Sequence, residues 1–259
     1  MSSSSNIYFA SDFHLGAHPL NESVARERRI VQWLTTIEED CAELFLMGDL
    51  FDFWFEYKTV VPRGYVRFLG KIASMVDKGI PVTIFKGNHD MWMFGYLENE
   101  LGVKVVSNEL QMERNGKKFY LHHGDGLGPG DHSYKILKKY FRSPVCQWLF
   151  ARLHPNLAIG LAQRWSKSSR LSNGSSEQFL GPDKEWLYQY ALELSETYPA
   201  DYYVFGHRHL PLDVSLGNGS RYVNLGEWMN FDSYAMFDGR ELRLCQTPDA
   251  PQSLPLIQL

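Results

Sequence analysis

The sequence predicts an α/β fold in which two mixed β-sheets pack as a sandwich flanked by helices, with an inserted helical cap. Three observations predict this fold. In the first half of the chain, short apolar runs typical of buried strands alternate with segments of helical periodicity. Later in the chain, turn signals separate short β-rich runs, which is typical of antiparallel strands. Between these regions, at about residues 131–176, lies a helical pattern with an unusual charge composition.

The first half of the chain is organised as strands followed by helices. Apolar runs at residues 7–10, 44–47 and 82–85 predict three strands. Helices are predicted over 22–38 and 64–77, because apolar residues recur there at helical spacing. Strands separated by helices favour a largely parallel sheet, and functional loops gather at the carboxyl ends of such strands.

The second half of the chain contains three turn signals. Asn115-Gly116 lies between two alternating runs and predicts a β-hairpin. Gly217-Asn218-Gly219 and Asp238-Gly239 predict two further turns in a β-rich region. Apolar runs at 119–121 and 202–205 predict strands, so a second, mixed sheet is expected.

Composition bounds the class of protein. The net charge of −4 over 259 residues gives no reason to expect nucleic-acid binding by the whole protein. The three cysteines are far apart and share no metal spacing, which predicts reduced thiols in a cytoplasmic protein. We expect no signal peptide, and no apolar stretch approaches the ~20 residues that span a bilayer. One domain is predicted over residues 1–246, followed by an extended tail over 247–259.

The inserted segment is strongly basic. From His132 to Ser176 there is no acidic residue but there are eight Lys or Arg residues, so the rest of the chain carries a charge of −12. One predicted helical face carries Tyr134, Leu137 and Phe141, and another carries a basic stripe, defined here as Lys135, Lys138, Lys139 and Arg142. The apolar face has an alternative interpretation as ordinary core, and the stripe as a solvated surface. Because a solvated face normally mixes both signs of charge, we favour an anionic partner.

Five short polar motifs each follow an apolar run. They are Asp12-Phe13-His14, Gly48-Asp49-Leu50-Phe51-Asp52, Gly87-Asn88-His89-Asp90, His122-His123-Gly124-Asp125 and Gly206-His207-Arg208-His209. Each motif alone is a weak signal, because Asp or His near a turn is usually a capping or packing residue. Their joint occurrence at strand ends instead indicates a metal site.

The types of residue in these motifs suit two divalent cations. Asp49 is the candidate to bridge both ions. Asp12, His14 and His209 are expected to hold one ion, whereas Asn88, His123 and His207 are expected to hold the other. Two cations ~3.5–4 Å apart can clamp phosphoryl oxygens and lower the pKa of a shared water. The sequence therefore predicts hydrolysis of a phosphoester or pyrophosphate.

The same motifs resemble the signature of the calcineurin-like metallophosphoesterases, from Ile7 to about Cys245. The resemblance implies a β-sandwich flanked by helices, with two divalent ions at the strand ends, and Mn²⁺ is the metal expected on the family pattern. It also implies the same ligand set. In the wider family a His–Asp pair acts on the leaving oxygen, and His89 with Asp52 matches that pair. The alternative for Asp52 is a simple turn residue.

The cap resembles that of one branch of the family, which cleaves the pyrophosphate of a UDP-linked, diacylated sugar in lipid A synthesis. This resemblance implies that Asp131, Ser169 and Asn173 contact substrate, and we take Asn88 and Arg142 as further candidate substrate contacts. The chain departs from the branch at three positions. His89 stands where the branch has Arg, Asp52 where it tends to have Glu, and Ser176 where it has Lys.

The resulting expectation is a cytoplasmic pyrophosphatase that is peripherally associated with the inner face of an anionic membrane. Its expected partner is the anionic lipid substrate, with neither nucleic acid nor an obligate protein partner. One alternative is a related phosphoesterase acting on another nucleotide diphosphate or a phosphodiester; a phosphoprotein is disfavoured because the cap would obstruct it. Another is a non-catalytic scaffold with this fold, which we rank last because all predicted ligands are present.

Overall fold

The computed structural model describes residues 6–128, 132–173 and 178–254, with the side chains of 132–134, 165 and 167–173 excepted. Its strands are β1 (Asn6–Ala10), β2 (Cys41–Leu46), β3 (Val82–Phe85), β4 (Lys104–Val106), β5 (Leu110–Arg114), β6 (Lys117–His122), β7 (Tyr202–Phe205), β8 (Pro211–Ser215), β9 (Arg221–Leu225), β10 (Ser233–Phe237) and β11 (Leu242–Gln246). Its α-helices are α1 (Leu20–Ile37), α2 (Val66–Asp77), α3 (Tyr96–Leu101), α4 (His132–Arg142), α5 (Pro144–Phe150), α6 (Pro155–Asn173) and α7 (Trp186–Thr197).

The strands form two mixed sheets, as predicted. The first has the order β11-β10-β1-β2-β3-β4, with β1 to β4 parallel and β10 antiparallel to both of its neighbours. The second has the order β5-β6-β7-β9-β8, with parallel central strands and antiparallel edges. The rings of Phe45 and Phe119 stack on Phe9, at centroid distances of 5.1 and 5.9 Å, within the core between the sheets. The mixed α/β sandwich is therefore confirmed.

Helices cover the outer faces of this sandwich. Ile30 and Trp33 of α1 and Phe68 of α2 belong to a buried cluster with the first sheet. Leu187 and Ala191 of α7 belong to another cluster with the second sheet. Because both faces of each sheet are packed, the strand ends and their loops are left as the place for polar chemistry.

Local backbone geometry explains where the elements differ from the sequence prediction. The second helix begins at Val66, because Gly64 and Tyr65 have φ values of 117° and 58° that a helix cannot contain. The short α3 and β4 carry too few residues for a periodic signal, and neither was predicted. The predicted hairpin is confirmed, since β5 pairs with β6 across Asn115 and Gly116, both with positive φ.

Helices α4 to α6, which we call the cap, contact the sandwich through an aromatic cluster. The indole Nε1 of Trp92 donates to the carbonyl of Phe141 at 2.8 Å. The ring of Phe150 lies 4.9 Å from both Trp92 and Phe55, measured between centroids. The predicted apolar face of α4 thus packs on the sandwich at Phe141, whereas the side chain of Tyr134 lies outside the described residues.

The basic stripe is largely engaged within the protein. Lys138 Nζ lies 2.5 Å from Asp125 Oδ2, and Lys135 donates to a backbone carbonyl in the loop after β6. Arg142 donates to oxygen atoms of residues 107–108. These three cations help to fasten the cap, so the charge available to a partner is smaller than the stripe suggested. No helix within the described part of the chain is long and apolar enough to cross a membrane.

Candidate metal centre

The five polar motifs lie on loops at the carboxyl ends of β1, β2, β3, β6 and β7. Backbone hydrogen bonds fix these loops against one another. The N–H of Asp12 donates to the carbonyl of Gly48 at 3.0 Å, and the N–H of His14 donates to that of Asp49 at 2.9 Å. The N–H of His207 donates to Asp12 Oδ2 at 2.9 Å. Loops far apart in sequence are therefore held as one rigid platform.

The first ligand cluster consists of Asp12, His14, Asp49 and His209, whose ligand atoms all lie within 4.8 Å of one another. The Nε2 atoms of His14 and His209 are 3.1 Å apart, and His209 Nε2 is 3.3 Å from Asp12 Oδ1. Imidazole and carboxylate groups that converge in this way are suited to a first-row divalent cation.

The second cluster consists of Asp49, His123 and His207. The Nε2 of His123 lies 3.4 Å from Asp49 Oδ2 and 3.2 Å from the amide oxygen of Asn88. Its other nitrogen, Nδ1, lies 2.8 Å from the carbonyl of Met47. A proton on Nδ1 that bonds this carbonyl leaves the Nε2 lone pair free for a metal. Asp49 belongs to both clusters, as the proposed bridging role requires.

Unsatisfied oxygens support the fit of a cation. Asp12 Oδ1 and Asp49 Oδ2 are buried and accept no hydrogen bond from any residue that the structure describes. Burial alone would raise the pKa of Asp12, but the imidazoles of His14 and His209 hold that pKa well below its usual value. Anionic oxygens at the centre of a buried site need a positive charge, so these residues fit a metal.

The carboxylates also act on His123. Burial opposes its charged form, yet the neighbouring Asp49 raises the pKa of His123 to about 10. By contrast, burial followed by the field of His123 lowers the pKa of His207 to about 4. The carboxylates around Asp49 thus favour a positive charge at the position where the two clusters meet, which is the charge that a metal ion would supply.

Close backbone approach explains the glycines of two motifs. A Cβ on Gly48, which has a φ of 97°, would lie 2.7 Å from His123 Nδ1 and 2.9 Å from the backbone nitrogen of Gly87. A Cβ on Gly206 would collide with the hydroxyl of Ser11. Larger residues would push these loops apart and separate the ligands.

The backbone at the ligands is itself unusual. Five of the seven predicted metal ligands have φ values in the left-handed region, which residues with a Cβ rarely adopt. They are Asp12 (56°), His14 (44°), Asp49 (52°), His207 (66°) and His209 (58°). This conformation turns their side chains together at the strand ends.

Asp90 supports two of the loops and was not predicted as a functional residue. Its carboxylate accepts the backbone N–H of Leu50 at 2.7 Å and of Gly87 at 2.8 Å, and it makes longer contacts at 3.3 Å to those of Asp49 and Phe51. It is fully buried. A carboxylate that joins the second and third motifs is expected to fix the position of Asp49.

A third cluster contains His14, Asp52 and His89. His89 Nδ1 lies 3.9 Å from Asp52 Oδ1, too far for a hydrogen bond, but 3.0 Å from the backbone carbonyl of Asp52. The hydroxyl of Ser166 lies between the two side chains, donating to Asp52 Oδ1 at 2.8 Å with its oxygen 3.1 Å from His89 Nδ1. Sequence reasoning did not single out Ser166, although it begins a serine-rich stretch of the predicted cap.

The predicted substrate contacts are less completely described. Asp131 lies outside the described residues, as do the side chains of Ser169 and Asn173, whose backbone forms the end of α6. Arg142 is exposed at the end of α4. Of the two members of this group whose side chains are described, Asn88 lies within the candidate metal centre and Arg142 does not. Their contacts with substrate stay predictions.

The fold and this centre define a metal-dependent phosphoesterase. A model of the calcineurin-like phosphoesterases matches residues 5–211, and the chain belongs to that family. A UDP-2,3-diacylglucosamine hydrolase of Porphyromonas gingivalis is 40% identical, covering 93% of this chain and 97% of the relative. The enzyme of the same name from a Shewanella strain is 26% identical, covering 94% and 98%. A solved phosphoesterase, Yfce from E. coli, aligns at 17% identity over 92% of this chain and 90% of its own, with a TM-score of 0.44.

Proposed function

We propose that this protein hydrolyses the pyrophosphate of UDP-2,3-diacylglucosamine to UMP and 2,3-diacylglucosamine 1-phosphate. The observation that carries this proposal is the 40% identity to a hydrolase of that name over nearly the full length of both chains. A similarity that includes the cap as well as the sandwich argues for a shared substrate, because the metal core alone does not distinguish among phosphoesters.

The proposed cofactors are two divalent ions, with Mn²⁺ as the proposed metal and Asp49 as their common ligand. Mixed imidazole and carboxylate donors, with one amide oxygen from Asn88, are the donor set from which this follows. When bound, such a pair of ions can polarise phosphoryl oxygens and activate a water molecule. The protein contributes the fixed geometry of the loops and a buried site from which bulk water is largely excluded.

His89 is proposed to act on the leaving oxygen. A proton on its Nδ1 is held by the carbonyl of Asp52, which leaves Nε2 as the nitrogen available to substrate. In the doubly protonated form, in which both ring nitrogens carry a proton, Nε2–H can donate a hydrogen bond or its proton to the oxygen of the departing phosphate. Burial, only partly opposed by Asp49, lowers the pKa of this histidine to about 4, which favours the neutral imidazole; an anionic substrate beside it would act in the opposite direction and favour the charged form.

The cap is proposed to hold the acyl chains and to contact the membrane surface. Eight of the fifteen large hydrophobic side chains that are exposed within the described ranges belong to the cap, which is far more than its share of the chain. They are Ile136, Tyr140, Val145, Trp148, Leu149, Leu153, Leu157 and Leu161. Exposed apolar residues beside exposed Lys139 and Arg164 suit a peripheral site on an anionic lipid surface. Cytoplasmic location at the inner membrane follows from this proposal.

Hydrolysis of three substrates tests the function. Purified protein with Mn²⁺ is given UDP-2,3-diacylglucosamine, its deacylated counterpart and bis(p-nitrophenyl) phosphate. We expect UMP release only from the acylated substrate, and its loss in His123→Ala but not in His154→Ala, an exposed cap residue. Cleavage of the phosphodiester alone would keep the hydrolase and discard the substrate.

A further inference from the structure

One side chain of the cap reaches into the centre of the site. Ser166 lies on α6 and is 8% exposed, whereas nearby Arg164 on the same helix is exposed. Its hydroxyl bonds Asp52, which precedes it by 114 residues. The cap therefore contributes a polar group to the third cluster as well as an apolar face.

The side chains of Asp52 and His89 do not bond each other directly, although the backbone carbonyl of Asp52 contacts His89 Nδ1. At 3.9 Å the carboxylate cannot bond the imidazole, so Asp52 cannot orient His89 by direct contact of their side chains. Ser166 closes this gap. Its O–H donates to Asp52 Oδ1 at 2.8 Å, and its oxygen is placed to accept from His89 Nδ1–H at 3.1 Å. A hydroxyl can donate and accept at once, which a carboxylate or an amide nitrogen cannot.

We propose that Ser166 is a positioning residue that orients His89 by linking its Nδ1 to the carboxylate of Asp52. This inference rests on the proposed role of His89 in leaving-group departure. As the bond to the leaving oxygen breaks, His89 Nε2–H delivers its proton to that oxygen, and Nδ1–H stays shared between Ser166 and the backbone carbonyl of Asp52. The chain of hydrogen bonds fixes the orientation of the imidazole ring while the proton is transferred.

This arrangement makes the alignment of His89 dependent on the cap. Helix α6 also carries the predicted substrate residues Ser169 and Asn173 on its following turns. If the cap moves away from the sandwich, Ser166 no longer contacts His89. The Nδ1–H of His89 then has the backbone carbonyl of Asp52 as its remaining acceptor, and one acceptor fixes the ring less firmly than two. Ser166 therefore affects turnover more than substrate affinity.

Kinetics of four variants test this role: Ser166→Ala, Ser166→Thr, His89→Ala and the double variant Ser166→Ala/His89→Ala. With UDP-2,3-diacylglucosamine we expect Ser166→Ala to lower kcat by roughly tenfold to a hundredfold, at the lower end of general acid contributions, with little change in KM. The threonine variant, which keeps the hydroxyl, should recover most of kcat. In the absence of His89, loss of Ser166 should cost almost nothing further.

The control is Ser143→Ala, at the start of α5, where the side chain makes no capping bond. Circular dichroism establishes that each variant is folded. Additive effects of Ser166→Ala and His89→Ala, a change in KM alone, or a folded threonine variant as slow as alanine would each overturn the inference while leaving the proposed function intact. An unchanged kcat in His89→Ala would instead remove the proposed role of His89, and the inference with it.

Discussion

Replacing Trp92 with phenylalanine should loosen the cap without unfolding the sandwich. The substitution removes the indole N–H that donates to the carbonyl of Phe141 at 2.8 Å, and it shrinks a ring packed against Phe150. The carbonyl of Phe141 keeps a second donor, the amide of Gln147 at 2.9 Å, so no buried acceptor is left without a partner. The expected loss is therefore that of an ordinary hydrogen bond, about 0.5–1.5 kcal/mol, with a smaller addition for the ring.

Hydrogen exchange measures this loss locally. A cost of about 1 kcal/mol corresponds to roughly fivefold faster exchange if the cap amides exchange through local opening. Amides of α4 and α5 should show this acceleration, while those of β1 and β2 should show little change.

Trp228→Phe is the matched control. Trp228 is also buried, but its indole nitrogen has no hydrogen-bond partner within the part of the chain that the structure describes. It should lower global stability through ring size alone and leave the local exchange of α4 and α5 as in the wild type. Unchanged exchange of α4 and α5 in Trp92→Phe would refute the view that this bond fastens the cap.

Three further substitutions give distinct outcomes. Asp49→Ala should lower turnover by more than about a hundredfold, because mutation of residues that merely support a metal ligand already lowers affinity or activity by about 10–100-fold. A near-normal Mn²⁺ titration together with a near-normal kcat would contradict the role of Asp49 as a ligand shared by both ions. Glu185→Gln should destabilise the fold by about 3–5 kcal/mol, because it leaves Arg208 buried without its ion-pair partner at 3.0 Å. Urea unfolding measures this loss, and Asp201→Asn, at a partly exposed position, is the control that should change stability little. Lys78 and Lys71 lower the pKa of Glu38 in the folded protein, and the slight burial of this carboxyl opposes them only weakly. The contribution of Glu38 to stability is thus present above the pKa that it has in the unfolded chain, and it is lost as the pH falls through the lower pKa of the folded protein. Glu38→Gln should therefore flatten the acid side of a plot of unfolding free energy against pH.

The sequence predicted those parts of the molecule that depend on local pattern. Metal ligands such as Asp12 and His123 lie two residues after the end of an apolar run, and parallel strands bring their ends to one edge, so the grouping could be inferred without tertiary information. The hairpin at Asn115 and Gly116 has the same origin, because these two residue types favour the backbone that the turn needs.

Contacts between the cap and the sandwich could not be inferred in this way. The periodicity of α4 places Lys138 on a helical face, but only the docking angle of the helix determines that it meets Asp125. Likewise, Ser166 resembles any other serine of its stretch until the rotation of α6 brings it to Asp52. Register and orientation between elements depend on packing over the whole interface, and no short segment encodes them.

The left-handed backbone of the ligands carries an evolutionary consequence. At no more than roughly 1–2 kcal/mol for each residue with a Cβ, and less for aspartate, five such positions together lower the stability of the fold by at most about 5–10 kcal/mol. That is comparable with the whole stability of an ordinary domain, about 5–15 kcal/mol. A lineage freed from catalysis would gain stability from glycine or asparagine at His14, His207 and His209, and drift should introduce them there early. Aspartate and histidine at all five positions are therefore what continued selection for the metal centre would leave behind.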